Sequence, residues 1–139
     1  MIKESRVLLN PSIAWTIIKN TPSLDPLVIL LNSKIYCLKN RGKIVSFLTI
    51  KKWKDSVEIG TVYTYPEFRN KGLAKKLIKY AIKKHKKVGL ICKKNLVQYY
   101  KKAGFKISNS TKNRIEKRKE LFNRTLSKIF GYKLAVMRN

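Results

Sequence analysis

Residues 57–87 constrain this chain more than any other stretch, because they fix a strand, a turn and a helix in succession. Val57 to Thr64 is a β-type run. Pro66 ends it, since proline lacks an N–H and biases Tyr65 toward extended geometry. From Leu73 onward, Leu73, Leu77, Ile78, Ala81 and Ile82 recur on one face at helical spacing, with Lys75, Lys76, Lys79, Lys83 and Lys84 on the other. Between strand and helix stand Arg69, Asn70, Lys71 and Gly72. Gly72 permits close backbone approach where the helix begins. The first helical N–H groups have no partner within the helix, and the dipole makes that end positive. Such a mouth binds phosphates, and Arg69 and Lys71 add charge to it.

The neighbouring segments read as a mixed α/β arrangement. Ile35–Leu38, Ile44–Trp53 and Ser56–Thr64 form a β-meander, turned at Asn40-Arg41-Gly42 and Lys54-Asp55. After the helix, Val88–Ile91 is a short buried strand. Asn95 caps a helix over Leu96–Ala103, closed by Gly104. Phe105–Ser108 is a strand. Asn113 with Glu116 resembles a capping box opening a basic helix that Gly131 closes. Tyr132–Met137 is a last strand. Residues 1–31 are less legible: a short helix over Ile13–Lys19, turns at Thr21-Pro22-Ser23 and Asp25-Pro26, and a strand at Leu27–Leu31. The order β-β-β-loop-α-β-α-β-α-β is that of one domain, residues 1–139, built on a sheet of mixed direction.

Two motifs carry a resemblance. Arg69-Asn70-Lys71-Gly72-Leu73-Ala74 fits a signature of Arg or Gln, two residues, Gly, one residue, then Gly or Ala. Asn95 through Phe105 holds a tyrosine, Tyr100, four residues before Gly104-Phe105. Together, with a strand between them, they resemble the GNAT superfamily of acetyl-CoA-dependent N-acetyltransferases. The resemblance covers Lys34 to Ser108, and Tyr132 to Met137 by position. It implies a GNAT-like mixed, mostly antiparallel sheet with flanking helices, and acetyl-CoA as co-substrate without a metal. It implies that Arg69, Asn70, Lys71, Gly72, Leu73 and Ala74 hold the pyrophosphate. Backbone groups of Val62 and Thr64 would pair with pantetheine like an added strand, and Asn95 would reach the cofactor.

The same resemblance implies two catalytic residues. Glu58 stands eleven residues before Arg69, where several members carry a general base acting through water. A lysine-type acceptor has a pKa of about 10.4, so a base helps to free its lone pair. Read from its strand alone, Glu58 is equally an outward or lysine-paired residue. Tyr100 occupies the place of the tyrosine that protonates the leaving thiolate, and neighbouring lysines would ease its ionisation. Its alternative is a core aromatic at helical spacing.

Charge sets the expected partners. The chain has 33 basic and 7 acidic residues, a net charge of +26. Residues 65–139 contain 23 of the basic and three of the acidic residues, so +20 follows the loop. This attracts polyanions and disfavours cationic acceptors such as polyamines. The helix with Lys112, Arg114, Lys117, Arg118, Lys119, Arg124 and Lys128 is a candidate surface for RNA, DNA or a nucleic-acid-bound protein. A GNAT-fold nucleic-acid-binding module with weak or no catalysis is the alternative to an enzyme. His85, among lysines, reads as solvated, and no metal set surrounds it. Cys37 and Cys92 read as buried free thiols. No apolar run reaches membrane-span length and no signal segment is legible, so a cytoplasmic location is expected.

Overall fold

The computed structural model describes residues 1–7, 10–20, 33–54, 56–108 and 114–139. The strand expected at Leu27–Leu31, the turns before it and the capping residue Asn113 lie outside the described residues. The elements are β1 (Ile2–Arg6), α1 (Pro11–Asn20), β2 (Lys34–Asn40), β3 (Lys43–Lys52), β4 (Val57–Thr64), α2 (Leu73–His85), β5 (Val88–Lys93), α3 (Val97–Lys101), β6 (Lys106–Ile107), α4 (Arg114–Thr125), α5 (Ser127–Phe130) and β7 (Leu134–Arg138). They build one seven-stranded sheet in the order β1-β2-β3-β4-β5-β7-β6. All neighbours are antiparallel except β4 and β5. The mixed, mostly antiparallel sheet with flanking helices is therefore the architecture the sequence implied.

Alternation along the strands sends apolar side chains to both faces. Tyr36, Leu48, Ile50, Ile59, Leu90 and Met137 pack with Leu77, Ile78 and Ala81 of α2 on one face. Ile35, Cys37 and Phe47 pack with Val7 and with Ile13 and Ile17 of α1 on the other. That second face also carries α4. Gly89 leaves room for it: a Cβ there would sit 3.3 Å from Ile115 Cδ1 and 3.4 Å from an Arg138 Nη1. A buried ion pair fastens α4 to β7. Glu116 accepts hydrogen bonds from Arg138 Nε and Nη2 at 2.7 and 3.0 Å and from Ser108 Oγ at 2.9 Å. Glu116 is thus an anchor of α4 on β7.

Other local expectations are corrected by side-chain bonding. Strand β1 was not expected, because its polar edge residues show no clear alternation. It pairs with Lys34–Leu38, and Glu4 accepts bonds from Lys84 and Tyr80. The basic helix is two pieces. The Thr125 and Ser127 hydroxyls bond back to the Leu121 and Asn123 carbonyls, and the helix breaks at Leu126. Gly131 closes the second piece at φ 70°. His85 is not simply solvated: its Nε2 is 2.6 Å from the Tyr36 hydroxyl and its ring stacks on Tyr36. Burial, then Lys52 and Lys84, hold its pKa below the usual histidine value.

Candidate active site

The site begins where the sheet splits. β4 and β5 pair only at Val57–Val88, Glu58–Gly89 and Ile59–Leu90, yet β4 runs on to Thr64 and β5 to Lys93. A bulge lies at the point of separation. Between the pairs Leu48–Val62 and Ile50–Ile59, Thr49 of β3 faces two residues, Gly60 and Thr61. Thr49 Oγ1 accepts the Thr61 N–H at 2.8 Å, which satisfies the amide that the bulge displaces. Any Cβ on Gly60 would lie 2.5 Å from that oxygen. Sequence and bulge are therefore matched: a hydroxyl on β3 and a glycine on β4.

Beyond the bulge, no strand among the described residues pairs with the far edge of β4. The Tyr65 N–H bonds to the Val45 carbonyl, so Tyr63 and Tyr65 direct their backbone groups toward β3. By alternation, the N–H and C=O of Val62 and Thr64 face the opening. The Thr64 carbonyl accepts Arg69 Nε at 3.0 Å, which ties the loop to the strand end. The loop then passes through a 3₁₀ turn at Pro66–Phe68. Asn70 and Gly72 both adopt left-handed backbone, φ 62° and 69°. Asparagine tolerates that region and glycine enters it freely. Gly72 caps α2, and its carbonyl accepts the Lys76 N–H at 3.0 Å. No atom lies within 4 Å of where a Gly72 Cβ would stand. Arg69, Asn70, Lys71 and Gly72 are exposed, whereas Leu73 packs partly against the core and Ala74 is half-buried.

Tyr100 lies on α3, which follows β5 in the chain. It is buried and packs on Tyr99 and Phe105. Burial pushes its hydroxyl pKa well above the ordinary tyrosine value, with Cys92 and Tyr99 adding to the effect. The expectation that lysines ease its ionisation is thereby reversed: Lys101 and Lys102 are exposed, and desolvation dominates. A hydroxyl of this kind stays protonated at neutral pH and can give a proton to a stronger base. Asn95 is exposed within the 3₁₀ turn Lys94–Leu96, which has no side-chain cap, so its expected capping role is not realised.

Glu58 sits at the vertex of the split, buried, on the face that carries α4. Trp53 Nε1 donates to its Oε2 at 2.8 Å, and an Arg118 amino group donates to Oε1. Lys51 stands opposite it in the β3–β4 register and is also buried. Sequence reasoning assigned Arg118 to an outer basic surface. It instead holds Glu58, together with Trp53. Trp53 was findable, lying just across the Lys54-Asp55 turn. Arg118 is sixty residues away from Glu58, and nothing in the linear sequence pairs them. Glu58, Val62, Thr64 and the 69–74 loop follow one another along a single strand and the mouth after it, while Tyr100 packs in the core on α3. Among the described residues no group of three or more His, Cys, Asp or Glu side chains could hold a metal. No helix among them is long and apolar enough to cross a membrane.

Comparison with known proteins agrees with this geometry. The acetyltransferase (GNAT) domain matches residues 32–107, more than half of the 139. The chain therefore belongs to the GNAT acetyltransferases, enzymes that take their acetyl group from acetyl-CoA. No curated protein sequence matches it significantly. Solved structures do. An IAA acetyltransferase from Bacillus cereus superposes with a TM-score of 0.73 at 15% identity, covering 99% of this chain and 97% of that one. A Bacillus subtilis acetyltransferase in complex with CoA gives 0.65 at 18% identity, covering 77% and 76%. A GNAT family acetyltransferase from Elizabethkingia anophelis with acetyl-CoA bound gives 0.64 at 18% identity, covering 99% and 95%. At these identities the likeness is one of fold.

Proposed function

We propose that this protein, as a single domain over residues 1–139, transfers the acetyl group of acetyl-CoA to a primary amine on a macromolecule, a protein or a nucleic-acid-associated acceptor. The observation that carries the reading is the split between β4 and β5, with the glycine-capped helix mouth at one end and Glu58 at its vertex. Pantetheine would take the place of the missing strand along Val62 and Thr64, and the pyrophosphate would sit against Arg69 to Ala74. Asn95, exposed in the turn after β5, would reach the cofactor. The amine nitrogen attacks the thioester carbonyl carbon, and the C–S bond breaks as the new C–N bond is completed. The proton lost by the amine passes through water to Glu58, each of whose oxygens keeps a lone pair beyond the bonds from Trp53 and Arg118. The Tyr100 hydroxyl gives its proton to the departing sulfur, and solvent restores it.

The +20 excess in residues 65–139 supports a polyanion, RNA or DNA, as the partner that brings the acceptor to the site. The same charge favours a second reading, a nucleic-acid-binding module with weak or no catalysis. Against it stand a glycine at the strained Gly72 position and a desolvated Tyr100, neither of which a binding surface needs. The test is kinetic. Tyr100→Phe lowers kcat by roughly 10²-fold or more with acetyl-CoA affinity unchanged, because general-acid help acts only in the transition state. Glu58→Gln flattens the acid limb of the pH–rate profile. Wild-type rates in both variants would remove these roles, and the absence of acetyl-CoA binding to the wild type would remove the reading itself.

A further inference from the structure

Three aromatic rings come together where α5 hands over to β7. Phe122 on α4 is buried and forms their base. The Phe130 ring centroid lies 6.0 Å from it at an interplanar angle of 18°, and that of Tyr132 lies 5.5 Å from it at 24°. Gly131 stands between the two outer rings. Its left-handed backbone turns the chain sharply, which brings the Tyr132 centroid to 6.2 Å from that of Phe130. The Asn123 amide fixes the turn: Nδ2 donates to the Leu134 carbonyl at 3.0 Å, and Oδ1 accepts the Leu134 N–H at 2.8 Å. Phe130 nonetheless stays 56% exposed, with Ile129 beside it 76% exposed. An apolar patch with a ring in a fixed orientation marks a place for a partner.

Cations rim these rings. Lys93 pairs with Leu134 in the β5–β7 register, and its ammonium lies 4.3 Å from the Tyr132 ring centroid. The Lys94 N–H bonds to the Lys133 carbonyl at 3.1 Å, so both residues stand at the same end of the sheet. Lys128 lies two residues before Phe130 on α5. All four lysines are exposed, and the ion pairs among the described residues involve none of them. The sequence holds no Asp or Glu from residue 68 to 115 or after residue 120, so no acidic residue of their own segments offsets them.

Flat rings with a rim of lysines match a polymer whose every unit carries a π-face and a phosphate. Single strands are held by stacking bases on aromatic side chains and by neutralising the backbone, whereas duplex bases are already stacked on one another. A second copy of this chain would bring another +26 to the same rim. A bilayer needs a longer apolar face than the single turn of α5.

We infer that Phe130 and Tyr132, with Lys93, Lys94, Lys128 and Lys133 around them, form a stacking platform for single-stranded nucleic acid. This deepens the polyanion reading of the charge and rests on it.

Fluorescence anisotropy tests it with a labelled thymidine oligonucleotide of about twelve nucleotides, within the usual site size, and with a duplex of equal length. Phe130→Ala should weaken the single strand about fivefold or more, the least expected for one stacked base, and leave the duplex within about twofold. The slope of log K against log salt should not change in that variant, since no phosphate contact is lost. Lys93→Gln combined with Lys133→Gln should instead lower the slope by about 0.7 for each contact removed. Phe130→Trp should bind at least as well as the wild type, and its added indole fluorescence should fall as the strand binds. That readout stands even where alanine disturbs the fold. The thermal shift with acetyl-CoA should persist throughout. No selective loss in Phe130→Ala, or no quenching in Phe130→Trp, overturns the platform alone. Dimerisation, or binding to phosphatidylglycerol vesicles, that Phe130→Ala abolishes while oligonucleotide binding persists also overturns it. Absence of binding to both nucleic acids overturns the platform and the polyanion reading together, and leaves acetyl transfer standing.

Discussion

Helix α4 delivers Arg118 to Glu58, and Glu116, two residues earlier, fastens that helix to β7. Replacing Glu116 by Gln keeps the volume and removes the charge that Arg138 faces. Breaking a buried ion pair on one side costs about 3–5 kcal/mol. Here the carboxylate is 1% exposed but Arg138 keeps 25%, so about 2–4 kcal/mol is the expected loss, reduced by solvent around the guanidinium. At roughly 3 °C per kcal/mol for a chain of this size, the melting temperature falls by about 6–12 °C. The pH dependence supplies a sharper check. Burial alone would raise the Glu116 pKa, but the bonds from Arg138, the backbone and Ser108 outweigh it and hold it below the ordinary 4.5. The unfolded chain therefore binds this proton at higher pH than the folded one does. The contribution is fully present above about 4.5 and is lost as pH falls through the lower, folded value. Urea unfolding of wild type and Glu116→Gln should differ most near pH 7 and converge as the pH is lowered below 4.5. A gap below about 0.5 kcal/mol at pH 7, the size of an ordinary surface change, would refute the buried-anchor argument, as would a gap unchanged by pH.

Gly72→Val should abolish the rise in melting temperature produced by acetyl-CoA. An L-residue at that left-handed position costs about 1–2 kcal/mol, and its side chain enters the space where the mouth receives phosphate; an undiminished thermal shift would move the cofactor elsewhere. Binding to transfer RNA or duplex DNA should weaken linearly in log–log form with salt, by about 0.7 per phosphate contact on single strands and 0.9 on duplex. Lys117, Arg124 and Lys128 are exposed. Reversing all three to Glu should flatten that slope with acetyl-CoA affinity intact, whereas no binding near physiological salt would leave these residues as a solvated surface.

What could be read in advance was what is local. The 57–87 unit is visible because a proline, a glycine and a change of apolar period fall within thirty residues. Leu77, Ile78 and Ala81 were assigned to the buried face of their helix and are there. The meander was visible for the same reason, with only its ends shifted. β1 was not, since an edge strand with Lys3, Glu4 and Arg6 exposed has no hydrophobic face to announce it. The break in the last helix depends on two hydroxyls choosing backbone carbonyls, which helical periodicity does not record. The loop residues and Glu58 could be named because they follow one another in the chain. Arg118 could not, because a basic helix reads the same whether one of its arginines points out or in. Tyr100 was named by its spacing, but its ionisation was misread, since sequence neighbours suggested lysines and the fold supplies desolvation.

The split between β4 and β5 also places an edge strand in the interior of the sheet. Backbone donors and acceptors at Val62 face a gap wide enough that β5 no longer reaches them, and such a row is a template for any extended segment, including one from another copy of this chain. Arg69 blocks part of it by occupying the Thr64 carbonyl. The remaining protection is mutual repulsion between molecules that each carry +26. That repulsion reaches only about 10 Å at 0.1 M salt and about 3 Å at 1 M. Concentrated, salty solutions free of ligand are therefore the conditions under which this protein should self-associate through this gap, and a molecule filling it is what would keep the protein monodisperse.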